Sequence, residues 1–142
     1  MLRGMLPFST GKFEGAGHWI NQTTEGDYTV ACVMEATADG RSEHTVHRVF
    51  LKPDGATLYE EDSRLTFIPA ERNGFRVVIR SAQGEVHGSG YCFDDQCHYE
   101  ADIAHRNRLE WTFTVRADGI EGLASSTNRG SLTSWKEVLR TV

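Results

Sequence analysis

Hydrophobic and polar positions alternate along most of this chain, and no stretch carries a sustained helical period. The clearest case is residues 107–117. Leu109, Trp111, Phe113 and Val115 interleave there with Arg108, Glu110, Thr112, Thr114 and Arg116. Such a period-two pattern describes a strand with one face buried and one face wet. Turn signals separate similar runs: Glu25-Gly26, Asp39-Gly40, Pro53-Asp54-Gly55, Asn73-Gly74, Gln83-Gly84, Asp94-Asp95, Asp118-Gly119 and Arg129-Gly130. Residues that accept positive φ suit tight hairpins. The predicted strands are 12–20, 27–37, 43–52, 56–69, 74–81, 85–93, 96–104, 107–117, 120–127 and 131–140, with division of the fourth into two short strands near Glu61-Asp62 as the alternative.

Hairpin-length connections make each strand the partner of the next. The expected fold is therefore all-β: a ten-strand antiparallel up-and-down meander closed into a barrel, with residues 1–142 as a single domain. A two-sheet sandwich is the alternative, but it usually needs Greek-key crossovers, and no connection here is long enough.

Turn positions then decide which side chains share a face. A two-residue Asp118-Gly119 turn sets Val115 against Gly122 and Phe113 against Ala124, large against small. The Asp94-Asp95 turn sets Cys92 against Cys97 and puts Gly88, Gly90, Tyr99 and Ala101 inside. The same turn leaves His87, Ser89, Tyr91, His98, Glu100 and Asp102 outside. The Glu25-Gly26 turn pairs Trp19 with Cys32 and directs Phe13, Gly15, Gly17, Trp19, Tyr28, Val30, Cys32 and Met34 inward. Continuing through Asp39-Gly40 pairs Cys32 with His47, which turns His47, Thr45 and Leu51 inward and leaves Val46 and Phe50 outside.

The interior constellation expected to line a ligand site is Trp19, Tyr28, Cys32, His47, Tyr99 and Trp111, with Gly88 and Gly90 leaving space. The bland reading of the same residues is a packed core with a satisfied histidine. Polar residues of the outer stripe are catalytic types, but an open sheet face neither excludes water nor holds an oxyanion. The stripe reads as a solvated face or a subunit contact, compatible with a homodimer. Cys92-x4-Cys97-His98 does not read as zinc, because His98 points away from the two thiols. No metal is expected. The paired thiols should be neighbours, reduced in the cell and able to cross-link on mild oxidation.

The opening strand Gly11-Lys12-Phe13-Glu14-Gly15-Ala16-Gly17-His18-Trp19 resembles that of calycin-type barrels. These are the lipocalins, fatty-acid-binding proteins and nitrobindin-like proteins, which open with Gly-x-Trp. Phe13 takes the Trp position of the longer Gly-x-Trp-x-Gly-x-Gly pattern, or Gly17-His18-Trp19 is itself the Gly-x-Trp. Length and strand count extend the resemblance over nearly the whole chain. It implies a small, largely apolar ligand inside the barrel, and an opening aromatic that closes the base and stacks on a basic residue of the last strand, here Arg140. It does not imply haem: the nitrobindin-like axial His comes late in the chain, whereas all six His here lie at or before His105. No cofactor is expected. The fatty-acid-type Arg-x-Tyr clamp is absent from the last strand.

Composition narrows the classes. At 142 residues a domain buries roughly 70% of its unfolded surface and needs no metal or disulfide staple. A net charge of −5 with no basic run argues against nucleic acid and anionic membrane as partners. Three cysteines suit a reducing compartment, and Met1–Phe8 is too short in apolar residues for a secretory signal, so a cytoplasmic location is expected. Two other functions compete with ligand binding: a small barrel enzyme on a lipid-like or carbonyl substrate with His47 as base, and an interaction domain whose interior is full.

Overall fold

A computed structural model describes residues 6–104, 107–128 and 130–142. His105, half of the Arg129-Gly130 turn and most of the Met1–Phe8 segment lie outside the described residues. Ten strands follow in order: β1 Gly11–Ile20, β2 Glu25–Ala36, β3 Ser42–Leu51, β4 Thr57–Pro69, β5 Gly74–Ser81, β6 Gly84–Phe93, β7 Gln96–Ala104, β8 Asn107–Arg116, β9 Gly119–Asn128 and β10 Ser131–Thr141. Each pairs antiparallel with its chain neighbours, and β10 pairs with β1, so the sheet closes into a barrel and no edge strand remains. The described residues include no helix, and hence none long and apolar enough to cross a membrane.

Most facing assignments follow from the alternation. Val115 faces Ile120, Phe113 faces Gly122, and Trp111 faces Ala124. The β8–β9 turn sits one residue earlier than Asp118-Gly119, which moves each facing partner by two positions. An even displacement keeps every side chain on its face, and large residues still meet small ones. The same holds at β1–β2. Asn21 caps a turn whose backbone N–H donates to the Thr24 carbonyl, so Trp19 faces Gly26 rather than Cys32, with parity unchanged.

Strand β3 is the exception. The Asp39-Gly40 connection is a three-residue loop, Ala38-Asp39-Gly40, closed by Thr37 N–H to Arg41 carbonyl at 2.9 Å, with Gly40 at φ 87°. A type I turn followed by a left-handed residue is the usual form of such a loop. An odd loop moves the register by one, and one residue flips every side chain. Cys32 therefore faces Val46, not His47. His44, Val46, Arg48 and Phe50 point inward, and His47, Thr45 and Val49 point outward.

The two ends of the barrel differ. At the end where the β2–β3, β4–β5, β6–β7 and β8–β9 turns lie, Phe8 from the segment before β1 enters the interior. Its ring packs 4.5 Å from His44, 4.7 Å from Phe67 and 5.7 Å from Phe113. Phe67, Phe75, Val77, Tyr99 and Phe113 complete this core. Arg140 does not stack on the opening strand; it points outward and donates to Glu121 at 3.1 Å.

Candidate functional site

The half of the barrel away from Phe8 is hollow. A cavity of about 570 Å³ runs from the aromatic base to the rim, where Leu58 and Tyr59 of β4 are half exposed. All three tryptophans line it. Ala124 faces both Trp111 and Trp135 across its two neighbouring strands, and that small residue lets the two rings meet edge to face at 5.8 Å. Phe50 stacks on Tyr59 at 4.5 Å and contacts Tyr28 at 5.1 Å.

A polar group crosses this apolar chamber. Arg48 of β3 reaches Glu137 of β10, Nε donating to Oε1 at 2.9 Å and Nη2 to Oε2 at 3.3 Å. The hydroxyl of Tyr28 donates to the same Oε1 at 3.1 Å. Side-chain exposures of 16% for Arg48 and 9% for Glu137 make this a buried, forked ion pair. Burial opposes the guanidinium charge, but the Glu137 carboxylate outweighs it and keeps Arg48 firmly protonated. Burial, reinforced by Glu137, pushes the Tyr28 phenol far above its ordinary range, so it stays a donor. The face of Trp111 lies 5.9 Å from the Arg48 guanidinium carbon, within cation–π range. A Cβ on Gly17 would fall 2.1 Å from the Tyr28 ring, so only glycine there lets the phenol take this position.

Two further buried groups, His44 and Cys32, are uncharged at neutral pH. Burial lowers His44 to about 3 and raises the Cys32 thiol to about 12. His44 Nε2 lies 2.9 Å from the Ser42 hydroxyl.

Of the residues expected in the wall, Trp19, Tyr28, Cys32, Tyr99 and Trp111 line the cavity. His47 does not. It sits on the outer face with Nδ1 2.6 Å from Asp62 and Nε2 3.5 Å from Glu60, and its pKa is raised by the Asp62 hydrogen bond. The enzyme reading thereby loses its assigned base. Gly88 and Gly90 have the expected facing but do not line this cavity. An added Cβ would meet Glu100 carbonyl oxygen at 2.5 Å from Gly88 and His98 carbonyl oxygen at 1.9 Å from Gly90. Their bare backbone lets β6 and β7 close together instead of opening space. Arg48, Phe50, Tyr59, Glu61, Trp135 and Glu137 were missed; for Arg48 and Phe50 the cue was the awkward exposure of Val46 and Phe50 in the expected register.

On the outer stripe, Tyr91 is well exposed, and His87 pairs with Glu85. The potential ligand atoms of His98, Glu100 and Glu110 lie within 4.8 Å of one another. Arg108 already bridges both carboxylates, hydrogen-bonded to Glu100 and 3.7 Å from Glu110, so a cation would have to displace it. Cys92 and Cys97 are directly opposite, 4.0 Å apart at Cα, and joined as a disulfide; Cys32 is free and buried.

Comparison with known proteins places the architecture. No protein-family description matches the chain, and no curated protein sequence matches it. A solved structure does: the crystal structure of Rv2717c from M. tuberculosis, with a TM-score of 0.71 over 94% of this chain and 92% of that one. The two chains share the barrel fold. At 14% identity the likeness extends to the fold and no further.

Proposed function

We propose that this barrel is a calycin-like binding protein that takes a small, largely apolar organic molecule into its open half. The observation that carries the reading is the chamber of about 570 Å³, walled mainly by aromatic and aliphatic side chains and crossed by one polar group. Small-molecule sites have this composition, at about 300–1,000 Å³. A chain selected only for stability would fill such a void, because each lost contact costs packing energy.

Tyr28, Arg48 and Glu137 supply orientation. Arg48 spends two donors on Glu137, and its remaining N–H groups can reach a carbonyl or hydroxyl of a guest. The test is titration with a neutral apolar fluorescent probe, in the wild type and in Ser63→Trp. Ser63 is a small, half-buried residue of the wall near the rim, and an indole there occupies the chamber. Saturable micromolar binding that Ser63→Trp abolishes at unchanged stability is expected. Equal binding to both proteins would put the probe on the outside of the barrel.

A further inference from the structure

We propose that the preferred guest of this cavity is an organic cation on a flat apolar frame, such as a protonated aryl-alkyl amine, seated with its charge toward Glu61. The inference rests on the binding reading above and adds the charge class of the ligand.

Three charged side chains line the chamber: Arg48, Glu137 and Glu61. The first two cancel, because the guanidinium fork is already closed on the Glu137 carboxylate. That arrangement removes the usual reason to expect a carboxylate guest. An incoming anion would have to break the fork, and would then face two carboxylates with one cation between them.

Glu61 supplies the uncancelled charge. It stands directly across the β3–β4 ladder from Arg48, on the inward-facing set of β4 with Tyr59 and Ser63. Among the described residues it makes no hydrogen bond and no ion pair within 4 Å, and its through-space pull on Arg48 is weaker than that of Glu137, so the three charges together leave a net negative one. Its neighbours in sequence differ: Glu60 and Asp62 point outward and both engage His47. The inner surface therefore carries one net negative charge at the rim of an aromatic chamber.

The rings are placed to complement it. Tyr59, stacked on Phe50, flanks Glu61 on its own strand, and Trp19 and Trp135 stand on the paired strands β1 and β10. Ring faces attract cations, more strongly where water is partly excluded. The wall thus offers one carboxylate, several π-faces and a large apolar area, which matches a cation attached to an aromatic body. A neutral guest of the same shape satisfies only the apolar part.

The experiment compares three ligands of one skeleton by calorimetric titration: 2-naphthylmethylammonium, 2-naphthylmethanol and 2-naphthoate. Each is titrated into the wild type and into Glu61→Gln, a change at an exposed residue. In the wild type the ammonium should bind about tenfold tighter than the alcohol, with naphthoate weakest. Glu61→Gln should bring the ammonium to within about twofold of the alcohol and leave the alcohol itself unchanged. Equal binding of ammonium and alcohol to the wild type, naphthoate binding as well as the ammonium, or a preference that survives in Glu61→Gln would each overturn the charge class. Alcohol binding would then leave the apolar-guest reading standing. No saturable binding by any of the three would overturn both.

Discussion

Breaking the Arg48–Glu137 pair on one side should hurt far more than removing it altogether. The two side chains are 16% and 9% exposed and linked by a fork of 2.9 Å and 3.3 Å. Unit charges about 4 Å apart attract by about 4 kcal/mol at an effective dielectric constant of about 20. Arg48→Met leaves a buried carboxylate with the Tyr28 hydroxyl as its remaining donor. Glu137→Leu leaves a buried guanidinium and an orphaned phenol. Each single change should therefore cost about 3–5 kcal/mol. The double variant trades two desolvated charges for apolar surface against Trp111 and Phe50, and should recover to within about 1–2 kcal/mol of the wild type. What remains is the unpaired Tyr28 hydroxyl, worth about 1 kcal/mol. Urea unfolding followed by tryptophan emission reads all four proteins, provided the slopes agree. Additive single effects would refute the argument, as would single effects below about 1 kcal/mol, which is the behaviour of an exposed pair.

Acid should weaken the fold through His44. Burial holds it at about 3 against an ordinary 6.5, so between those values the unfolded chain binds a proton that the folded chain refuses. Stability is then full above pH 6.5 and falls as pH drops below it, by up to about 1.4 kcal/mol per pH unit. Urea midpoints near about pH 7 and about pH 5 for the wild type and His44→Phe should diverge on the acid side, and parallel behaviour would exclude His44 as the cause. Gly90→Ala drives a methyl into the backbone of β7 and should cost at least about 2 kcal/mol, while Ser89→Ala on the wet face should be near neutral; similar melting curves for the two would count against the close strand approach. Reducing Cys92–Cys97 should cost at most about 2 kcal/mol and leave the barrel folded, because the bond spans a sequence separation of only 5 inside an existing hairpin. Loss of the β-type circular dichroism on adding reductant would show that the hairpin depends on the bond.

Strand positions, closure and most inward faces were legible because they rest on alternation and on turns of even length. At β8–β9 and β1–β2 the true turns lie elsewhere, but facing partners shift by an even number of residues, which leaves the pattern of facing residues intact. The Cys92–Cys97 pairing was legible for a stronger reason, since the Asp94-Asp95 turn sits where expected, with Asp94 at φ 56°. The candidate site was legible only on the strands with correct parity. Gly40 accepts positive φ in either a two-residue or a three-residue loop, and nothing local separates the two. The decision is made by burial of Val46 and Phe50 against β2 and β4. Once β3 is turned by one residue, His47 leaves the interior and Arg48 enters it. Glu137, 89 positions away, could not be recognised as its partner from spacing, because the contact crosses the barrel between strands that are not adjacent.

Ring closure also has a temporal side. Every ladder but one joins strands adjacent in the chain, so hairpins can form as soon as their residues are available. The β1–β10 ladder must wait for Ser131–Thr141. At about 5–20 residues per second, ribosomal synthesis holds β1 without its second partner for on the order of ten seconds. During that interval one long edge is bare, and the guanidinium of Arg48 has no Glu137 to enter with. The nascent protein is thus an open, incompletely neutralised sheet until its last strand arrives, and that final pairing seals the wall and matches the buried charge in the same event.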